Sequence, residues 1–193
     1  MSRRSTGAAD APLLAWGDAL RAAKLRRRTL ARRAAAVAIG SIIVLASAAL
    51  PPTPRLVWNA SASAPIGLYA VSPGASTILG DMVIARVPET YRRLAATRHY
   101  LPMNVPLVKR VAAYAGDEVC ALGQEIFVNG RWTAERLMVD GAGRPMPMWS
   151  GCVRLRGDQR FLLMDAPASF DGRYFGVTEG ADMVGKARLL WPR

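Results

Sequence analysis

The alternation of polar and apolar positions changes character twice along the chain. In residues 1–33, Leu13, Leu14, Trp16, Leu20 and Leu25 follow Asp10-Ala11-Pro12 among basic residues, which predicts a capped amphipathic helix. Residues 34–50 then read AAAVAIGSIIVLASAAL, a run without a charge, and Pro51, Pro52 and Pro54 end it. At the helical rise this run is about 25 Å long, at the lower limit for a membrane-crossing helix. Beyond it the period shortens to that of strands. Segments 81–87, 106–111, 125–129 and 160–164 are short, contain Val or Ile, and are bounded by Gly, Pro, Asn or Asp. Asn129-Gly130 predicts a hairpin turn, because both residues tolerate positive φ. Residues 91–100 read as a short helix or an excursion, and 134–150, broken by Gly141, Gly143, Pro145 and Pro147, as a long connection. Three parts follow: a basic segment (1–33), a transmembrane helix (34–50) and a mainly β domain (51–193).

Charge gives this layout a direction. The 193 residues carry 26 Lys and Arg against 14 Asp and Glu, a formal charge of +12. Arg3, Arg4, Arg21, Lys24, Arg26, Arg27, Arg28, Arg32 and Arg33, against only Asp10 and Asp18, concentrate more than half of that excess before the apolar run. Because Lys and Arg resist translocation, the N-terminus is expected in the cytoplasm and residues 51–193 outside it, on a single-pass inner-membrane protein. Ala46-Ser47-Ala48 would suit a cleavable signal peptide, but a leader of 33 residues is far longer than an ordinary n-region, so an uncleaved anchor is the preferred reading. The basic run could also be a nucleic-acid patch. The adjacent span favours anionic lipid as its partner instead.

Composition removes several chemistries. The single histidine, His99, excludes a Ser-His-Asp triad and two-histidine zinc sites, and it reads as a loop residue. Cys120 and Cys152 are too few for a structural zinc cluster, though enough for one disulfide in an oxidising compartment. No cofactor or metal is expected, and a hydrolase built from this chain needs a base other than histidine.

Three separated motifs offer such chemistry. The first, residues 58–69, reads WNASASAPIGLY and places Ser61 and Ser63 ahead of Pro65 and Gly67; alone it is equally a turn. The second, residues 106–117, reads PLVKRVAAYAGD. In a strand, Leu107, Lys109 and Val111 share one face and Val108 and Arg110 the other. If the first face is core, Lys109 loses its hydration, its pKa falls toward neutrality, and the amine can deprotonate a serine. The alternative is an exposed strand lysine paired with an acid. The third motif, residues 169–176, reads SFDGRYFG; in extended chain Asp171 and Arg173 share a face and can form a positioning or merely structural ion pair.

In this order after an apolar helix, the three motifs resemble the type I signal peptidase family and, more closely, its conjugative-transfer TraF-like branch, over residues 58–191. The resemblance implies a signal-peptidase-like β ectodomain and a membrane-anchored serine endopeptidase with a Ser/Lys dyad. Ser63 would be the nucleophile, Lys109 the general base, and the Ser61 hydroxyl with the Ser63 amide the oxyanion hole. Ser169 would orient the lysine, with Asp171 and Arg173 fixing its loop, and Cys120 and Cys152 would pair. The implied substrates are exported precursors with small residues near the cleavage site, a conjugative pilin precursor in this branch or otherwise a secretory one. Two departures stand out: Gly172 where the branch has Ser, and Met164-Asp165-Ala166-Pro167 where housekeeping signal peptidases have Gly-Asp-Asn-Arg. Two alternatives are kept. A LexA-type self-cleaving repressor also uses Ser and Lys, but the apolar helix and the lack of a DNA-reading domain speak against it. A non-enzymatic envelope assembly protein retaining the fold is the stronger rival.

Overall fold

The computed structural model describes residues 11–49 and 53–193, in two units that are taken separately. The N-terminal unit contains one helix, α1 (Ala11–Ala49), 39 residues long. The amphipathic helix expected before residue 34 and the apolar run after it are therefore one uninterrupted helix. Ala, Leu, Arg and Lys are all strong helix formers, and no proline stands between residues 13 and 50, so nothing interrupts the backbone where the charges stop. The stretch Ala15–Ser47 is long and apolar enough to cross a membrane. The expected cap Asp10, Arg3 and Arg4, and the terminating Leu50, Pro51 and Pro52 lie outside the described residues.

The second unit, from Thr53 to Arg193, is mainly β. Its elements run β1 (Leu56–Asn59), β2 (Gly67–Ser72), β3 (Met82–Ala85), α2 (Glu89–Thr97), β4 (Leu107–Ala113), β5 (Glu118–Leu122), β6 (Glu125–Val128), β7 (Arg131–Glu135), β8 (Gly151–Arg154), β9 (Phe161–Leu163), the one-turn α3 (Gly172–Phe175) and β10 (Met183–Pro192). Two antiparallel sheets result, β1-β2-β10-β3-β4-β9 and β7-β6-β5-β8. The predicted strands within 81–87, 106–111, 125–129 and 160–164 are present, as is the 129–130 turn, with φ of 51° at Asn129 and 74° at Gly130. Residues 91–100 contain most of α2. The long connection begins after β7, at Arg136, and its only pairing among the described residues is a bridge between Val139 and Pro145.

Strand alternation divides the core. On one face of the large sheet Val83, Leu107, Val111, Leu162 and Phe175 pack together; on the other, Tyr69, Val71, Ile84, Val108 and Ala187 do. Lys109 pairs with Val83 across β3 and β4, so it shares the face of Leu107 and Val111, and that face is covered. The opposite face is covered too, which a single amphipathic strand pattern does not announce. In the smaller sheet Cys120 and Cys152 stand opposite one another on β5 and β8 and are joined by a disulfide.

Candidate active site

Ser61 and Ser63 lie on the loop between β1 and β2, and a buried amide fixes its shape. Asn59, at the end of β1, accepts from the Ser61 amide and donates to the carbonyls of Ser61, Ala64 and Pro65 at 3.0–3.1 Å. The Tyr69 hydroxyl adds a bond to the Pro65 carbonyl at 2.8 Å. Gly67 is needed at the exit, because a Cβ there would lie 2.1 Å from the Trp191 carbonyl oxygen. The loop is thus tied at both ends, with Ser63 half-buried and Ser61 exposed.

Lys109 comes from the middle of β4 and is only 4% exposed. Its Nζ donates to Ser63 Oγ at 3.0 Å and to Ser169 Oγ at 2.7 Å. Burial lowers the pKa of this amine from its ordinary 10.5 to about 8; attraction to Asp171 opposes the shift, and repulsion from Arg173 adds to it. The two charges come as a pair, so their effects offset and desolvation decides.

Ser169 is buried and precedes α3. Here the expected strand geometry of residues 171–173 is replaced: Asp171 is extended and caps the short helix, accepting from the amide of Arg173, the second residue of its first turn. The ion pair forms nonetheless, with Arg173 Nε donating to Asp171 Oδ1 at 2.8 Å in a buried setting. Asp171 Oδ2 accepts from the Met164 amide, and Arg173 donates to the carbonyls of Met164, Pro167 and Glu135. Charged groups without such partners would be costly to bury. With them, the pair pins both ends of the loop that carries Ser169. Gly172 is explained by space, since a Cβ would lie 2.8 Å from both the Leu162 carbonyl oxygen and the Phe161 ring.

The expected oxyanion-hole donors are close but turned on each other. Ser61 Oγ lies 3.0 Å from Ser63 Oγ and accepts from the Ser63 amide at 3.4 Å. Rotation of the exposed Ser61 side chain about its Cα–Cβ bond would carry Oγ off the Ser63 amide and free both donors.

All the residues expected to carry or support catalysis come together here; His99, expected as a loop residue, and the cysteine pair, expected as a disulfide, stand apart. His99 is exposed at the end of α2, and the disulfide lies in the other sheet. Glu118 is close enough to Cys120 and Cys152 to share an ion, but the two sulfurs bond to each other, which removes them as ligands. Sequence reasoning gave no role to Asn59 or to Arg136, a buried guanidinium that donates to the carbonyls of Gly123, Trp149 and Arg173. Asn59 stood inside a recognised motif, so its buried, multiply bonded amide had a signal. Arg136 stood at the head of an irregular stretch and had none.

Residues 27–192 match the family described as "Signal peptidase, peptidase S26". The chain belongs to the S26 family. Within S26 it falls in the TraF-like branch. It is 34% identical over 140 residues to a probable conjugal transfer protein TraF of Sinorhizobium fredii, covering 67% of this chain and 73% of that one. It is 29% identical over 168 residues to a plasmid transfer protein TraF of Escherichia coli, covering 81% and 94%. A solved signal peptidase I from Enterococcus faecalis V583 aligns with a TM-score of 0.34 at 17% identity, covering 61% of this chain and 98% of that one. The S26 match takes in all three motifs, whose residues are the ones gathered around Lys109.

Proposed function

We propose that this chain is a membrane-anchored serine endopeptidase with Ser63 as nucleophile and Lys109 as general base, and that it cleaves an exported precursor, a conjugative pilin precursor in the first instance. The observation that carries this reading is the 3.0 Å contact between Ser63 Oγ and the Nζ of a buried lysine whose pKa lies at about 8. Neutral Lys109 takes the Ser63 proton as Oγ attacks the scissile carbonyl. The developing oxyanion receives hydrogen bonds from the Ser63 amide and the Ser61 hydroxyl, which turns away from its resting contact. Lys109 then protonates the departing amine. The acyl ester is resolved by water, activated by the same lysine, while Ser169 keeps Nζ aimed throughout. Asp171 and Arg173 are positioning residues, since they reach the lysine only through the Ser169 loop and their paired charges.

The long apolar helix α1 supports membrane anchoring, and the basic residues that precede its apolar half support a cytoplasmic N-terminus. The names carried by the curated relatives support a substrate within conjugal transfer.

Wild-type and Ser63→Ala protein reconstituted in vesicles, supplied with pilin and secretory precursors, test the reading by intact mass spectrometry. The expected result is Ser63-dependent loss of a peptide from the pilin precursor. Cleavage of the secretory precursor alone would reassign the substrate. Identical spectra for the two proteins would reject the enzyme and favour the assembly role.

A further inference from the structure

Of the three cavities that border Ser63, the one lined by Pro65, Arg110 and Met164 does not reach Tyr100, and the other two do. One of these two, of about 210 Å³, is walled by Leu137, Met146 and Tyr174; the other, of about 430 Å³, by Trp58, Leu101 and Val105. Tyr100 and Phe170 line both, together with Ser61 and Ser63, and their ring centroids are 5.1 Å apart. These two rings form the partition between the cavities.

The rings are held differently. Phe170 is packed against the rings of Tyr174 and Phe175. Tyr100 is held by a polar latch. Its hydroxyl donates to Asp140 Oδ2 at 2.5 Å, and Arg144 Nε donates to the same oxygen at 2.7 Å. The Arg144 guanidinium also sits 5.7 Å from the centroid of the Tyr100 ring. Asp140 Oδ1 accepts from the amides of Ala142 and Arg144. Together these donors hold the Asp140 carboxyl well below the usual carboxylate range. Arg98, just before, donates to the Pro145 carbonyl at 2.7 Å. The connection after β7, which carries Leu137 and Met146, is therefore fastened to the end of α2 through Tyr100 and its neighbour.

The backbone aims the ring as well. After α2, the Tyr100 amide donates to the Ala95 carbonyl and the His99 amide to the Ala96 carbonyl, with His99 at φ 59°. This is a Schellman turn with histidine in the left-handed position usually given to glycine. It reverses the chain so that Tyr100 turns back toward Ser63.

We propose that Tyr100, latched to Asp140 and Arg144, sets the size of the substrate side chain accepted beside Ser63; the inference rests on Ser63 being the peptidase nucleophile. A substrate side chain that enters either of these two cavities meets the Tyr100 ring, which stands between them. Removing the ring merges them and admits a longer side chain. An apolar pocket discriminates one methylene by about 10- to 200-fold, so loss of a wall is readable in a ratio of rates.

The test uses the full chain in detergent and peptides that differ only in the residue on the acyl side of the cleaved bond, from Ala to Leu. In Tyr100→Ala the Leu-to-Ala ratio of kcat/KM is expected to rise about tenfold or more. In Tyr100→Phe, which keeps the ring and cuts the latch, an intermediate rise is expected, and this variant decides if Tyr100→Ala does not fold. A merely structural role would depress both substrates alike, and an unchanged ratio overturns the inference. Affinities of product peptides ending in Ala or Leu for Ser63→Ala protein, with and without the Tyr100 substitution, give a readout that needs no turnover. If the wild type cleaves none of the peptides, the proposed function fails, and these affinities alone decide: a relaxed preference upholds the size role of Tyr100, an unchanged one removes it.

Discussion

A lysine amine with a pKa of about 8 is roughly one-tenth neutral at pH 7, and only that fraction can accept the Ser63 proton. The rate constant kcat/KM should therefore climb about tenfold per pH unit below pH 8 and level off above it; a profile flat from pH 6 to 9 would show that Lys109 is not the base. Burial also ties this residue to stability. The unfolded chain holds the Lys109 proton up to about 10.5 and the folded chain only to about 8, so between these values the unfolded state binds more protons and stability rises with pH. Relative to Lys109→Met, the wild type should gain about 2 kcal/mol between pH 7 and pH 10, measured by denaturant unfolding. Ser61→Ala removes one of two oxyanion donors without touching the dyad, and a fall in kcat of about a hundredfold is expected. Unaltered single-turnover rates would mean that the Ser61 hydroxyl never leaves its resting contact. The candidate site was legible because Ser63, Lys109 and Ser169 each sit in a motif with its own spacing. Tyr100 and Asp140 were not, since the bond between them spans 40 residues of sequence and neither belongs to a repeat or motif.

At the scale of elements, Gly172 shows how tightly α3 is set against β9. Replacing it with Ser, the residue usual in the branch, pushes a Cβ into the Leu162 carbonyl and the Phe161 ring. A loss of about 1–3 kcal/mol is expected in thermal or chemical unfolding; a neutral Gly172→Ser would indicate that α3 can slide outward. Period-2 alternation located the strands that are rich in Val and Ile, and it placed Lys109 on the face shared with Leu107 and Val111. It did not identify residues 171–173 as a helix cap, because a single turn is too short to display a 3.6-residue period and the local Asp171 bonds decide its conformation. The continuity of α1 has the opposite cause. A change from charged to apolar residues alters what a helix faces, while the backbone hydrogen bonds run through the change unaltered.

In the molecule as a whole, the smaller sheet is closed by the Cys120–Cys152 bridge, which spans 32 residues of sequence including the Arg136-to-Ser150 connection that walls one cavity. In the chain-entropy account such a loop contributes about 3–4 kcal/mol. Cys120→Ser/Cys152→Ser protein should lose stability of that order, and reducing agent should lower the melting temperature of the wild type but not of the double variant. Equal melting temperatures under oxidising and reducing conditions would assign the stability of this sheet to its hydrophobic cluster alone. The pairing could be anticipated from family resemblance, whereas the order of strands in either sheet could not be read from strand patterns, since it depends on which edges meet after the chain has folded.

That order has one more consequence. The pair β1–β2, joined by the Ser63 loop, and the pair β3–β4, which carries Lys109, are not neighbours in the sheet; β10, which follows every other strand in the chain, lies between them. During synthesis Ser63 and Lys109 therefore share no sheet until β10 has been made and has inserted. A chain that stops short of β10 would carry Ser63 and Lys109 on strand pairs with no common sheet, so the last strand of the chain completes the candidate site without contributing a residue to it.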